Sequence, residues 1–177
     1  YAVVDRHSER ALGVITLMEI RPESGVIEVG HIFYSPLLQR TPAATEAIHL
    51  AGRHVFRDLG YRRFEWKCNN ANEASRRAAL RFGFVAEGVF RQHMVVKGRN
   101  RDTAWFSIID RDWALAERAF ERWLAPGNFG PRGEQKIALG QIEVGDIDVG
   151  SLKLARVGVV DRDEIEAVRA GMSARNG

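Results

Sequence analysis

The chain has 177 residues, 45% of them hydrophobic, and a net charge of +3, which suits one domain, with or without an appendage, and a sizeable core. No apolar run approaches the roughly 20 residues needed to span a membrane. The mild basic surplus, carried by residues 1–124, fits an anionic ligand and is too small to argue for nucleic acid.

Cys68 is the only cysteine, which rules out an internal disulfide and fits a reducing, cytoplasmic setting. The sequence starts at Tyr1 inside a predicted strand, so a fragment lacking its true N-terminus is expected. Residues 2–5 and 12–20 read as two strands joined by the polar turn RHSER, and RPESG leads into a third strand over residues 26–34. That strand, VIEVGHIFY, is nearly continuously apolar, as a central strand covered on both faces would be. Glu28 and Gly30 share one face of it and His31 takes the other. A carboxylate inside such a strand is costly unless it is paired or functional; the alternative is an edge position near solvent.

Next comes a helix with an explicit start. Thr41 suits the N-cap and Pro42 the first helical position, where a missing N–H costs nothing. Ala44, Ile48, Ala51, Val55 and Leu59 recur at helical spacing, with Glu46, His49, Arg53 and Arg57 on the opposite face and Gly60 as the stop. A strand feeding a capped helix through a short loop aims N–H groups and the positive dipole end at one spot, which suits a phosphate; on spacing alone, a plain corner with solvated Gln39 and Arg40 comes first. No GxxxxGK[ST] or GxGxxG occurs. Residues 63–68 form a further strand. Asn72 then caps a helix that Gly83 and Phe84 stop. Strands at 85–96 and 103–110 are joined by KGRNRD, and residues 112–124 form a last helix of this part. Strands and helices thus alternate after a meander, giving an α/β layer structure with a mixed sheet. From residue 125 the aliphatic residues pair off at five-residue intervals (Ile137 with Leu139, Ile142 with Val144, and on to Val157 with Val159). Short hairpins or a small β-solenoid both fit, with Asp161 and Glu164 opening a final helix.

The strand at 26–34, the loop QRTPAATEA, Asn72-x-x-Ser75 and RFGFVAEGVFR stand in an order and spacing that resemble the GNAT superfamily of acetyl-CoA-dependent N-acetyltransferases. The RimJ/RimL-like branch, which acetylates ribosomal-protein N-termini, is the nearest likeness. The resemblance covers residues 1–124, with no counterpart of the family's first strand and the two helices after it; residues 125–177 lie outside it. It implies a GNAT-like, largely antiparallel sheet flanked by helices; the β-rich C-terminal extension rests on the aliphatic spacing alone. It also implies backbone contacts from Ile32, Phe33 and Tyr34 to the pantetheine arm. The CoA diphosphate would sit on Gln39, Arg40, Thr41, Pro42, Ala43, Ala44 and Thr45, and Asn72 and Ser75 would lie near the thiol end. Pro42 replaces a usual Gly and removes one donor, so the remaining N–H groups and the Thr41 hydroxyl must serve. Ala79 stands where many members carry a Tyr that protonates the leaving thiolate. Ser75 matches the Ser with that part in the RimJ/RimL-like branch, or else it is a first-turn hydroxyl satisfying the helix. Glu28 is a candidate base acting through water. A Glu proposed as base in that branch corresponds to Met94, beside His93, which is a further catalytic candidate or else structural.

These residues point to acetyl transfer from acetyl-CoA to a primary amine, a protein N-terminus or a small molecule, by direct attack in a ternary complex and without a metal. A non-catalytic CoA-binding or protein-interaction module is the rival reading. The acceptor and the oligomeric state, a homodimer included, are not encoded in any motif here.

Overall fold

The computed structural model describes residues 1–142. Its elements are β1 (Ala2–Val4), β2 (Ala11–Arg21), β3 (Val26–Tyr34), α1 (Pro42–Arg53), β4 (Arg63–Asn69), α2 (Glu73–Arg81), β5 (Val85–Val96), β6 (Arg99–Ile109) and α3 (Asp110–Leu124). The strands form one sheet in the order β1-β2-β3-β4-β6-β5. Only β3 and β4 run parallel, because the chain crosses between them through α1; the other neighbours are antiparallel. This is the expected mixed, largely antiparallel α/β architecture. No helix among the described residues is long and apolar enough to cross a membrane.

Alternation along the strands sorts side chains onto two unlike faces. Ile27, Val29, Phe64, Trp66, Phe106 and Ile108 face the helices and close a core with Ile48, Val55, Trp113, Phe120 and Trp123. The opposite face carries a ladder of charge. Arg21 and Arg63 both hold Glu65 (2.5 and 2.7 Å), and Arg63 also reaches Glu87 (2.5 Å). Lys67 bridges Glu28 (2.9 Å) and Glu65 (3.2 Å) and lies 4.1 Å from the centre of the Trp105 ring. Burial acts to raise the Glu65 carboxyl, but Arg63, Lys67 and Arg21 together hold it below the usual range.

Thr41 caps α1 as expected, and Pro42 is its first residue. The far end departs from the regular pattern. Residues His54–Asp58 form a π-helical turn before Gly60, at φ +64°, stops the chain. The wider turn breaks the 3.6-residue repeat, so Leu59, expected in the apolar row, is exposed. His49, expected on the solvent side, is buried against Phe120 and Trp113, since α3 packs along α1 and widens its covered face. In α2 the Asn72 side chain accepts the Ser75 N–H (3.1 Å). At the other end, the N–H groups of Gly83 and Phe84 reach Leu80 and Ala79 carbonyls in the expected stop.

The β5–β6 connection is tighter than KGRNRD implied. Only Lys97 and Gly98 turn, both left-handed (φ +49° and +71°), as a two-residue hairpin of type I′ requires. Beyond Leu124 the chain makes 3-10 turns at Pro126–Asn128 and Leu139–Gln141 and one isolated bridge between Phe129 and Gln135. The aliphatic pair Ile137 and Leu139 therefore does not form the expected hairpin strand. Leu139 drops into the core instead, and the Asn128 amide donates to the Trp123 and Ile137 carbonyls (2.9 and 3.2 Å). The remaining expected β-repeats and the helix at Asp161 lie outside the described residues.

Candidate active site

β3 and β4 pair from Val26 with Arg63 to Val29 with Trp66, and no further. Residues 30–34 have no partner on β4. The cause lies in His31, whose left-handed backbone (φ +46°) adds a bulge between the pairs Thr16 with Gly30 and Val14 with Phe33. A non-glycine residue in that region carries strain of order 1–3 kcal/mol, and such strain clusters at functional sites. The strands part into a cleft of about 290 Å³, lined by residues 29–32 of β3, residues 66–69 of β4, Asn72 and Ser75 of α2, and Arg101 of β6.

Ser75 stands on the helix side of the cleft. The Trp66 indole N–H donates to its Oγ at 3.0 Å, which fixes the oxygen and leaves its proton to be donated elsewhere. Cys68 lies beside it; burial pushes this thiol up and the Ser75 hydroxyl pulls the other way. From the opposite face of the sheet Lys67 enters the lining. Glu28 does not line the cleft itself but holds Lys67 at 2.9 Å from behind. Burial pushes the Glu28 carboxyl up, with Lys67 drawing it down and Glu65 and Glu19 adding to the rise. His93 lies outside the lining. It is held on the β5–β6 hairpin by Thr103 (Nδ1 to Oγ1, 2.9 Å), between Phe90 and Trp105.

The loop before α1 is drawn tight. The Gln39 amide donates to the Tyr34 carbonyl (2.8 Å), so that carbonyl is already engaged. The Tyr34 hydroxyl donates to the Ala44 carbonyl (3.0 Å), and burial pushes its pKa up to about 12, which makes it a brace for α1. Ile32 lines the cleft, whereas Phe33 is exposed. An α-helix starts with four N–H groups that lack helical partners. Here Thr41 gives its own to the Leu38 carbonyl (3.2 Å), Pro42 has none, and Ala44 gives its own to Thr41 Oγ1 (3.3 Å). Ala43 keeps the one first-turn N–H not taken in this way. Two side chains of this stretch are already engaged. The Thr41 hydroxyl both accepts from Ala44 and donates to Leu38 (2.7 Å), so it is not free for a phosphate. Thr45 is 2% exposed and accepts from Arg81 (3.1 Å), so it faces α2 rather than the loop. Arg40, left-handed at φ +62° and exposed, has no ion-pair partner among the described residues.

Sequence reasoning missed Lys67, Asn69 and Arg101 as lining residues. The signal for the first two was the alternation on β4, which puts Lys67 and Asn69 on the face of Glu65.

Residues 1–85 match the family model of the acetyltransferase (GNAT) domain. An uncharacterized N-acetyltransferase, YoaA, of Bacillus subtilis (strain 168) is 30% identical over 109 residues, covering 62% of this chain and 61% of that protein. A solved GCN5-related N-acetyltransferase from Brucella melitensis is 57% identical, with a TM-score of 0.77 over 78% of this chain and 63% of that one. A probable acetyltransferase of the GNAT family from Chromobacterium violaceum ATCC 12472 is 50% identical, with a TM-score of 0.59 over 61% of this chain and 54% of that one. The chain thus spans less than two thirds of the length of each of these relatives. The chain thus has the fold of the GNAT acetyltransferases and is similar in sequence to proteins of that superfamily.

Proposed function

We propose that the chain is an N-acetyltransferase that moves an acetyl group from acetyl-CoA to a primary amine, either a protein N-terminus or a small amine, by direct attack in a ternary complex. The observation that carries this reading is the parting of β3 from β4, with the Ser75 hydroxyl on one side of the gap and the Lys67–Glu28 pair on the other.

The donors and acceptors present suit acetyl-CoA. Peptide groups of residues 30–34 are free of a β4 partner and match an amide-bearing arm. The Ala43 N–H, the dipole of α1 and the Arg40 cation suit a diphosphate. Acetyl-CoA, when bound, supplies a carbonyl already activated as a thioester. The chain's own residues then align the amine and manage protons. Alignment alone supplies much of the acceleration. Ser75, steadied by Trp66, carries a proton for the departing thiolate. Glu28, its pKa raised by burial, takes the proton of the amine through water. An α-amine of pKa about 8 is easier to deprotonate than a lysine of about 10.4, which favours an N-terminus as acceptor.

The RimJ/RimL-like reading draws support from Ser75 in the cleft lining and from Ala79, which is fully buried and leaves no room for a tyrosine there. Met94 in place of that branch's acidic residue weighs toward a different acceptor. Mass spectrometry of products from free N-termini, lysine peptides and small amines, run beside calorimetry with CoA, tests the proposal. Saturable CoA binding with acetylated product supports it. Binding without any product points to a CoA-binding module, and no binding removes the assignment.

A further inference from the structure

On the helical side of the domain, apart from the cleft, one histidine and two carboxylates meet. A ring nitrogen of His49 on α1 and one oxygen each of Glu117 and Glu121 on α3 lie within 4.8 Å of one another. None of the three lines the cleft between β3 and β4. Glu117 and Glu121 stand four residues apart, so they share a face of α3, and that face lies against α1. Glu117 is buried and Glu121 exposed, which leaves the cluster one opening to solvent.

His49 supplies an independent sign. It is only 8% exposed, and its Nε2 is buried without a hydrogen-bond partner among the described residues. Buried polar atoms are almost always partnered, so an orphan beside two carboxylates asks for an explanation. The ring itself is held rigidly, stacked on Phe120 at 5.4 Å and on Trp113 at 6.3 Å between centroids. Arg57 donates from Nε (3.2 Å) and Nη2 (2.5 Å) to Oε2 of Glu117, which orients that carboxylate and leaves its Oε1 without a hydrogen bond among the described residues.

We infer that His49, Glu117 and Glu121 form a binding site for a divalent transition metal ion of the Zn²⁺ type. One imidazole and two carboxylates make a mixed nitrogen and oxygen set, which suits zinc, cobalt or nickel; calcium and magnesium prefer oxygen alone. Three protein ligands leave a fourth position for water. The ion would cross-link α1 to α3 behind the core, and the Arg57 contact would act on it through Glu117, as outer partners of metal ligands commonly do.

The site is tested on the whole chain after chelator treatment, by titrating Zn²⁺ against a chromophoric chelator and Co²⁺ by its visible absorption. One ion per chain, with a rise in Tm, is expected. Glu121→Gln changes an exposed side chain and leaves the Arg57 contact alone. It should weaken Zn²⁺ binding by at least about tenfold, the scale on which even outer partners of metal ligands act. His49→Phe keeps the aromatic stack, so it should fold, lose the Zn²⁺-dependent rise in Tm and lose the Co²⁺ bands. His54→Ala and His93→Ala should bind as the native chain does. Zn²⁺ binding that is undetectable in the native chain, or equal in the native chain, Glu121→Gln and His49→Phe, overturns the inference. The readouts do not involve acetyl transfer, so the fate of this site is separable from that of the proposed activity.

Discussion

β3 is one strand with two halves that do opposite things. Residues 26–29 are buried and all pair with β4, and Val26, Glu28 and Val29 pair with β2 as well. Residues 30–34 keep β2 on one side, alternate between half-buried and exposed, and leave the other edge unpaired. The first half holds the sheet together; the second leaves an edge that β4 does not cover, where the proposed function places the ligand. The difference turns on two residues. His31 supplies the left-handed kink, and at Gly30 a Cβ would stand 2.5 Å from Met18 Sδ. An unpaired strand edge is usually a liability that proteins cover or blunt. Here a helix and two strands wall it into a cleft, which turns the liability into a candidate site.

The contrast makes separable predictions. Phe64, 1% exposed, pairs with Ile27 in the first half and packs on Phe56 and Phe84. Phe64→Ala should cost about 3–5 kcal/mol of stability, read by urea unfolding. The molecules that remain folded should bind CoA as the native chain does. A large loss of CoA affinity in that folded fraction would mean that the two halves are not separable. Next in size, Ser75→Ala should lower kcat by about a hundredfold, the lower end for a positioned proton donor, with little change in Tm. Trp66→Phe keeps the ring but removes the N–H that steadies Ser75 Oγ, so its kcat should fall between the two. Unchanged turnover in Ser75→Ala would return Ser75 to a helix-capping role.

A smaller effect should appear in the pH dependence. Burial raises the Glu28 carboxyl and Lys67 opposes that rise. A base works only when deprotonated, so kcat/KM should climb with pH through the Glu28 pKa of the folded chain. Lys67→Met removes the opposing cation, raises that pKa further and should move the climbing limb to higher pH; Glu28→Gln should abolish the limb. A limb that stays in place in both variants would exclude Glu28 as the base.

Local chemistry made much of this legible in the sequence. Thr41 with Pro42, Asn72, and Gly83 with Phe84 mark helix ends through short-range hydrogen bonds, and the structure has all three. What stayed hidden depends on neighbours far along the chain. His49 looked solvated because α3, which buries it, begins some sixty residues later. The Trp66 bond to Ser75 joins a strand to a helix, and no spacing announces it. The segments VIEV and GHIFY are both apolar in character, so nothing local says where pairing with β4 stops. The commitment of the Thr41 hydroxyl to Leu38 and Ala44 is likewise a matter of loop geometry that composition does not carry.

The mouth of α1 gives the smallest and sharpest test. Pro42 offers no N–H, and Thr41 and Ala44 have given theirs away, so Ala43 alone among the four orphan positions is left for an anion. Pro42→Ala restores one donor at the first helical position. A hydrogen bond to a charged group contributes about 1.5–3 kcal/mol when its donor is well placed. Against it stands the loss of a fixed backbone angle, about 0.4–1 kcal/mol through the unfolded chain. The two act on different observables. CoA affinity should rise, by up to about tenfold if the new N–H contributes about 1.4 kcal/mol, while Tm falls slightly. Arg40→Ala should move affinity the other way with no change in Tm. If Tm falls while CoA affinity stays level in Pro42→Ala, and Arg40→Ala is also silent, the diphosphate does not sit on this helix. The open edge of β3 would then have to hold its ligand without the anchor assigned to it here.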